Sequence, residues 1–279
     1  MKNILIPTDF SENSWNAIKY ALNFFKTTTC NFYILHVNSL ANLVGAETIY
    51  IPTQDAVAEA FTIPSKKKLR DVLNRIELLP PNTKHKFYTL TDYNFFIDSV
   101  RKHIDEKKID LIVMGTKGAS GLKQIIIGSN TGDVITKVKC TTLVVPENAE
   151  YENPKEIAFP TDYTLFYSAE TLMPLSEIIE MHNSTIRILH INKRHAVLNE
   201  EQLKNKEYLE DYFGSCEHSS HFLTNTNIEE AIQCFVESRD INIITMVAKN
   251  LNYFQKILFS PTVTEIGYHT DIPFLVLHE

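Results

Sequence analysis

The stretch Ile109-Asp-Leu-Ile-Val-Met-Gly-Thr-Lys-Gly-Ala-Ser-Gly-Leu-Lys-Gln-Ile-Ile-Ile-Gly-Ser129 joins a short apolar run to a glycine-rich loop. The apolar run is typical of a buried parallel strand. The chain has 8 glycines in 279 residues, and five of them lie between Gly115 and Gly132. Because glycine loses the most conformational entropy on folding, this concentration indicates a backbone that must approach a ligand closely. After a strand that ligand is most often phosphate, held by backbone N–H groups. The alternative is a plain strand–loop–helix connection.

Outward from this stretch, the chain repeats itself. Ile4-Leu-Ile-Pro-Thr-Asp9 returns as Ile157-Ala-Phe-Pro-Thr-Asp162, and Ile34-Leu-His-Val-Asn38 returns as Ile188-Leu-His-Ile-Asn192. The run at 109–114 returns at 241–246, and the run at 143–145 returns at 275–277. Because the order of the four segments is preserved, the pattern predicts a tandem duplication. We place the domains at 1–148 and 149–279, joined through the polar segment 147–155.

Within each copy, short apolar runs alternate with helical patterns. In the first copy we predict strands at 4–7, 32–37, 85–90, 111–114 and 142–145, and helices at 11–25, 65–78, 94–103 and 129–138. Ser11 is the candidate N-cap of the first helix. This alternation predicts an α/β fold of two tandem doubly wound domains, each a five-stranded parallel sheet with helices on both faces. Ligands of such sheets bind at the carboxyl ends of the strands.

The first copy is longer than the second by about 22 residues between its second and fourth strands. We place this extra segment within 39–68, where prolines interrupt the apolar patches 49–52 and 61–64. A lid or packing flap and an irregular solvent loop are the two interpretations of this segment.

Composition excludes several classes of protein. The net charge of -7 argues against a surface built for nucleic acid or for an anionic membrane. The chain has no apolar run of the roughly 18 residues that a membrane span needs. The cysteines at 30, 140, 216 and 234 match no zinc or redox spacing. These features predict a cytoplasmic protein with reduced, buried thiols.

The spacing Gly-x2-Gly-x9-Gly-Ser, met by Gly115, Gly118, Gly128 and Ser129, resembles the ATP-binding branch of the universal stress protein family. The opening Pro-Thr-Asp-Phe-Ser, the second strand ending Leu-His-Val and the closing Leu-Val-Val-Pro are also similar to that family. The resemblance covers essentially the whole chain as two family domains. It implies a stress-response protein that binds an adenine nucleotide.

The resemblance also implies a set of cofactor-binding residues. Asp9 would accept hydrogen bonds from the base or ribose, although an aspartate before Phe-Ser is also typical of a turn. Gly118 and Gly128 would let the backbone approach the phosphates. Ser129 would cap a helix and contact phosphate through its hydroxyl. The full set is Pro7, Thr8, Asp9, Val37, Met114, Gly115, Gly118, Gly128, Ser129 and Asn130.

The second copy departs from this pattern. Ala248 and Leu251 stand where the first two phosphate-loop glycines are expected, and the last glycine falls on Phe259 or Pro261. A Cβ at each position would crowd a backbone cradle, and proline removes an N–H donor. We therefore predict one nucleotide per chain, bound in the first half. The second half is then a scaffold or holds a different ligand.

Three functions remain open at this stage. The leading hypothesis is an ATP-occupied sensor or adaptor, with ATP bound with or without Mg²⁺ and with a protein partner of unknown identity. The second is a slow Mg-dependent ATPase or phosphate-transferring protein, although the motif positions no water and no base, so we predict no catalytic residue. The third is a ligand-free structural stress protein.

No metal site is predicted. His218 and His221 lie three residues apart on an expected strand, so their side chains face opposite sides. His36 and His190 recur at equivalent strand ends, which indicates a packing or hydrogen-bonding role common to both copies.

The resemblance further implies pairing of last strands. Edge pairing of 143–145 with 274–277 would make an intramolecular pseudo-dimer and remove two apolar sheet edges. Further homo-oligomerisation is left open.

Overall fold

The computed structural model describes residues 1–39, 54–116, 128–192, 197–225, 227–249 and 271–279. The side chains of Ser39, residues 54–61 and Glu229 are not described. In the first repeat the elements are β1 (Lys2–Pro7), α1 (Glu12–Phe24), β2 (Cys30–Ser39), α2 (Gln54–Glu77), β3 (His85–Asn94), α3 (Phe96–Lys107), β4 (Leu111–Gly115), α4 (Ser129–Lys137) and β5 (Thr142–Val145). In the second they are β6 (Glu156–Pro160), α5 (Ala169–His182), β7 (Thr185–Asn192), α6 (Glu200–Tyr212), β8 (His218–Thr224), α7 (Ile228–Ser238), β9 (Ile243–Val247) and β10 (Phe274–Leu277).

The chain divides into two compact units. Among the described residues, the first unit ends at Cys140 and the second begins at Thr141. In the first unit the strand order is β3-β2-β1-β4, and each pair is parallel. In the second unit the order is β5-β10-β9-β6-β7-β8, and every pair is parallel except β5 with β10. The predicted α/β class, with a mainly parallel sheet and helices on both faces, is confirmed.

Alternation along the strands explains how the first sheet receives helices on both faces. Leu5 and Leu35 are buried with Val100 of α3 and Val134 of α4 in one apolar cluster. Their neighbours along each strand point to the opposite face, because successive side chains of a strand alternate. On that face α1 and α2 are joined by Glu12 and Arg75, whose side chains form a bidentate ion pair.

The helix starts are set by short polar side chains. The Ser11 side chain accepts from the backbone N–H of Ser14, which caps α1 as predicted. In the second unit Ser168 makes the same bond with Thr171. Ser11 follows Asp9 by two residues, whereas Ser168 follows Asp162 by six, so α5 begins about one helical turn later after its strand than α1 does.

The extra segment of the first copy is helical from Gln54 onward. We expected a helix to begin at Ser65, but α2 extends through Pro64 and begins 11 residues earlier. Proline interrupts helical hydrogen bonding, which made residue 64 look like a boundary. The preceding sequence, Gln54-Asp-Ala-Val-Ala-Glu-Ala60, is rich in strong helix formers and offsets that loss. The part of the segment before Gln54, and with it the choice between lid and loop, lies outside the described residues.

The expected strand pair at the end of each repeat is present. β10 runs antiparallel to β5, with Leu275 opposite Leu143 and Val276 opposite Thr142. All residues of both strands are buried. This pairing satisfies the backbone N–H and C=O groups of two strands that would otherwise expose them.

The prediction that all the thiols are buried is wrong for two of them. Cys30 and Cys140 are buried, and burial raises the pKa of Cys30 to about 11 and that of Cys140 to about 12. Cys216 is half-buried and Cys234 is exposed, and all four are free of disulfides. Whether a cysteine is buried depends on its position along a strand or helix. The spacing between cysteines does not reveal that position.

Among the described residues, none of the helices has the length and apolarity of a membrane span.

Candidate functional site

The carboxyl end of β1 forms a tight polar turn. Asp9 Oδ1 accepts from the backbone N–H of Ser11 at 3.0 Å and from its hydroxyl at 2.6 Å. Thr8 Oγ1 accepts from the N–H of Phe10 at 3.0 Å and shares a hydrogen bond with Ser14 Oγ at 2.8 Å. The turn role that we considered for Asp9 is therefore present. It also fixes the orientation of the carboxylate at the strand end.

A histidine from β2 supports this turn. His36 Nδ1 lies 2.8 Å from the carbonyl oxygen of Thr8. Because a carbonyl oxygen can only accept, Nδ1 carries the proton of the neutral ring. Burial lowers the pKa of His36, so the ring is neutral at pH 7. The role predicted for His36 and His190 is confirmed, since His190 Nδ1 makes the same bond with Thr161 O at 2.9 Å.

Phe10 also belongs to this turn, although we did not select it as a site residue. Its φ is 66°, a left-handed conformation that is uncommon for a bulky residue. The ring centroids of Phe10 and His36 are 4.3 Å apart, and Lys68 Nζ lies 5.3 Å from the Phe10 ring. The only signal was the repeat itself, because Tyr163 stands at the matching place with a φ of 57°.

The second unit builds the same turn and then covers it. Asp162 Oδ1 accepts from the N–H and hydroxyl of Thr164, and the rings of Tyr163 and His190 lie 5.0 Å apart. Two α6 side chains donate to the turn: Gln202 to Asp162 O and Asn205 to Tyr163 O, both at 2.8 Å. Tyr163 is 0% exposed, whereas Phe10 is half-buried. Among the described residues, the aromatic ring of this turn is therefore more accessible in the first unit than in the second.

Gly115, at the end of β4, is closely approached by α1. A Cβ at this position would stand 2.7 Å from Asn13 Oδ1 and 2.9 Å from Asn13 Cγ. Thr131 Oγ1 donates to Gly115 O at 2.8 Å, and Gly128 N–H donates to Thr116 O at 2.6 Å. These bonds fix the start of α4 beside the end of β4. The ends of β4 and β9 align Gly115 with buried Val247, one residue before the Ala248 that we expected at this place.

Two predicted binding residues belong to the apolar core. Met114 is 5% exposed and lies in the cluster that contains Leu5 and Val134, while Val37 packs against the same cluster. This burial leaves the main chain of Met114, rather than its side chain, for contact with a ligand. Pro7 is also buried and pairs with Leu35 of β2.

The prediction that Ser129 caps α4 is wrong by one residue. The N-cap is Gly128, with φ of -54° and ψ of 149°, and Ser129 is the first residue of the helix. A glycine cap has no side chain with which to bind the first-turn N–H groups. Ser129 and Asn130 are exposed, and the first turn carries no acidic residue. The amino end of α4 thus combines a positive helix dipole with an exposed hydroxyl and an exposed amide.

Some of the predicted loop lies outside the described residues. These positions are Gly118 in the first repeat and Leu251, Phe259 and Pro261 in the second. Ala248 is described, and its N–H donates to Leu277 O at 2.9 Å. That donor is used within the sheet.

The two histidines of β8 are hydrogen-bonded inside the protein. His218 Nδ1 lies 3.1 Å from Cys216 O, and His221 Nε2 lies 2.8 Å from Ser219 Oγ. The part of the chain that the structure describes contains no group of three or more His, Cys, Asp or Glu side chains placed to hold a metal ion.

Comparison with known proteins gives consistent results. The sequence profile described as the universal stress protein family matches residues 1–146. Universal stress protein MJ0531 of Methanocaldococcus jannaschii is 31% identical over 144 residues, which cover 52% of this chain and 81% of that protein. Universal stress protein MJ0577 of the same organism is 26% identical over 156 residues, or 52% and 94% of the two chains.

A solved structure extends the similarity in fold to the whole chain. The crystal structure of a universal stress protein from Archaeoglobus fulgidus matches with a TM-score of 0.67 and 17% identity. The match covers 98% of this chain and 95% of that one. At this identity the similarity describes the fold alone.

Proposed function

The chain belongs to the universal stress protein family, and from that premise we propose that its first half binds one ATP and acts as a nucleotide-dependent sensor or adaptor. The observation that carries this proposal is that α4 begins with a glycine cap and that this helix end lies next to the end of β4. Because Gly128 has no side chain, it does not cap the first-turn N–H groups of α4. A hydrogen bond from Gly128 N–H to Thr116 O holds this helix end close to Gly115. Such an end is suited to phosphate.

The phosphates would lie at the amino end of α4. There the helix dipole favours negative charge, and the Ser129 hydroxyl is exposed to the ligand. The first turn has no carboxylate that would repel an anion. An accompanying Mg²⁺ would be held mainly by the phosphates and water, as is usual for this ion with nucleotides.

The adenosine would lie towards the ends of β1 and β2. Asp9 is oriented there by Ser11, and its carboxylate can accept from an exocyclic amine or a ribose hydroxyl. The His36 ring is neutral and uses Nδ1 to hold the turn, so it supports the site instead of adding charge to it. Pro7, Thr8, Val37 and Met114 would contribute main chain and supporting packing.

We propose a single nucleotide per chain. The matching turn of the second unit is closed by Gln202 and Asn205, and Tyr163 is fully buried there. The second half is then a universal-stress-type domain that serves as a scaffold. In this view the chain is a tandem member of the family, with domains 1–148 and 149–279 as an intramolecular pseudo-dimer. A cytoplasmic location and a protein partner that responds to the bound nucleotide complete the proposal.

The first test is to denature the purified protein and to identify and count the released nucleotide by anion-exchange chromatography. The proposal expects about one ATP per chain. A mixture rich in ADP would favour slow hydrolysis. Absence of nucleotide, together with no thermal shift on adding Mg-ATP, would contradict ATP binding and leave a ligand-free structural role.

A further inference from the structure

The helices α2 and α6 hold equivalent places in the two repeats, each following the second strand of its repeat. Their buried positions align: Ser65 and Leu69 of α2 are buried, as are Asn205 and Leu209 of α6. With this alignment, exposed Ile63 of α2 matches exposed Leu203 of α6. The exposed fractions of these two side chains are 57% and 46%. Among the described side chains, each helix therefore presents a large apolar residue to solvent at the same position.

The surroundings of that apolar residue are basic on α2. Lys66, Lys67 and Arg70 are exposed, and helical periodicity places them with Ile63 on the side opposite Leu69. We call these four residues the basic face. Lys68 lies beside Phe10. Asp71 and Glu77 are exposed residues of opposite sign on α2, and Glu77 lies at the carboxyl end of the basic face.

The surroundings of the matching residue are acidic on α6. Glu200, Glu207 and Asp211 are exposed and recur at intervals of seven and four residues, which places them on one side with Leu203. We call these four residues the acidic face. Glu201 adds negative charge beside it, and Lys204 is the exposed residue of opposite sign. In the alignment, Lys67 of α2 corresponds to Glu207 of α6.

The two halves of the sequence also differ in net charge, with the first half basic like α2 and the second half acidic like α6. Residues 1–148 contain 18 Lys and Arg and 14 Asp and Glu, whereas residues 149–279 contain 9 and 20. The excess of acidic residues over basic ones thus comes wholly from the second half. Complementary potentials of this kind direct the association of protein surfaces and set its register.

We propose that the basic face of α2 on one chain packs against the acidic face of α6 on a second copy of the chain. In the proposed dimer the contact is made twice, since each chain contributes its basic face to one contact and its acidic face to the other. Ile63 and Leu203 lie at the centre of each contact, with the charged side chains around them, which is the usual arrangement of a protein interface. The resulting dimer is sensitive to salt, since the charges at its rim are accessible to solvent.

Sedimentation velocity of the full chain tests this proposal. We expect a dimer at about 0.02 M salt and a shift towards monomer at about 0.5 M, where screening is much stronger. The triple variant Lys66→Glu, Lys67→Glu, Arg70→Glu carries two acidic faces, and the triple variant Glu200→Lys, Glu207→Lys, Asp211→Lys carries two basic faces. Each alone is expected to weaken dimerisation at low salt by about tenfold or more, because like charges then meet.

Mixing the two variants is the decisive experiment. An equimolar mixture is expected to form a heterodimer, and a chain carrying all six substitutions is expected to dimerise again with itself. Circular dichroism and thermal melting check that each variant folds. A charge-matched control, Lys19→Glu, Lys26→Glu, Lys139→Glu, alters exposed residues outside α2 and is expected to dimerise like the wild type.

Two results would overturn the proposal. One is a wild-type chain that stays monomeric at low salt. A monomeric chain that binds a short DNA duplex through α2 would contradict the proposal in the same way. The other is a dimer that persists unchanged in both reversed variants, or a mixture of them that gives no heterodimer.

Discussion

The side chain of Asn13 occupies the space where a Cβ on residue 115 would stand, with Oδ1 at 2.7 Å and Cγ at 2.9 Å from that position. This contact joins the first turn of α1 to the end of β4. Asn13 is 6% exposed, so its carboxamide has little room to move away. Gly115 is thus required for packing, whatever it contributes to a ligand.

We therefore expect Gly115→Ala to destabilise the protein by about 1 to 3 kcal/mol, as overpacked sites usually do. Urea unfolding would measure the loss. The double variant Asn13→Ala, Gly115→Ala is the control, because removing the carboxamide makes room for the new methyl group. Its loss should be smaller than the sum of the two single losses. Simple additivity would show that the steric conflict is absent.

A different prediction concerns the half-buried ring of His182 at the end of α5. Burial lowers the pKa of His182 to about 4, against about 6.5 for an exposed histidine. The unfolded chain therefore binds the proton more readily, so this histidine stabilises the fold above pH 6.5 and loses that contribution as the pH falls towards 4. Solvent screening at a half-buried ring reduces the effect to about 1 to 2 kcal/mol.

Urea unfolding of wild type and His182→Gln at pH 7.5, 6, 5 and 4.5 would measure this contribution. The stability of the wild type should fall more steeply with acid than that of the variant, and the difference between the two curves should develop below about pH 6.5. Parallel curves would mean that His182 titrates normally in the folded protein. Other half-buried histidines with a lowered pKa, such as His85, contribute to both curves equally and do not affect the comparison.

Trp15 offers a local probe of the α1–α2 contact, because it is the only tryptophan of the chain. The Arg75 guanidinium lies 4.1 Å from the Trp15 ring and pairs with Glu12 at 2.9 Å. Arg75→Gln removes both interactions and should cost about 0.5 to 1.5 kcal/mol. It should also shift the tryptophan emission. Glu12→Gln removes only the ion pair, so it should leave the emission near that of the wild type. An equal shift in both variants would contradict the stacking arrangement.

The sequence predicted those parts of the fold that depend on local pattern. The strands β1, β2 and β4 and the cap at Ser11 follow from short apolar runs and a serine before a helix, and the repeat located their partners. Features that depend on contacts between residues far apart in the sequence, or on an unusual backbone conformation, were not predicted. The left-handed Phe10 and the contact of Asn13 with Gly115 have no local signal, because tertiary packing decides them. The continuation of α2 through Pro64 was missed because the proline was given more weight than the helix formers before it. The cap of α4 was displaced by one residue because serine is the commoner capping residue, yet glycine holds that place.

The two α6 side chains that donate to the turn of the second unit give a prediction about protein stability that does not involve ligand binding. Asn205 is buried and donates to Tyr163 O, whereas Gln202, which donates to Asp162 O, is half-buried. Asn205→Ala should destabilise by about 1 to 3 kcal/mol, because it leaves a buried carbonyl without its donor. Gln202→Ala is the matched control and should lose less, since water can reach its partner. Neither change should alter the amount of ATP bound per chain. A second ATP in either variant would mean that the turn can bind nucleotide once it is uncovered.

The last prediction separates the structural from the ligand-binding role of Gly128. Its φ of -54° and ψ of 149° are open to any L-residue, so the backbone itself does not require glycine there. Gly128→Ser would even supply a capping hydroxyl to α4, and we expect its melting temperature to equal or slightly exceed that of the wild type. If the phosphates of ATP approach the amino end of α4, the added side chain must weaken Mg-ATP binding, by about tenfold or more in isothermal titration calorimetry. Thr136→Ser, at an exposed position in the last turn of the same helix, is the matched control and should bind like the wild type. Unchanged affinity in Gly128→Ser would exclude phosphate contact at this helix end, even if ATP still binds elsewhere on the chain.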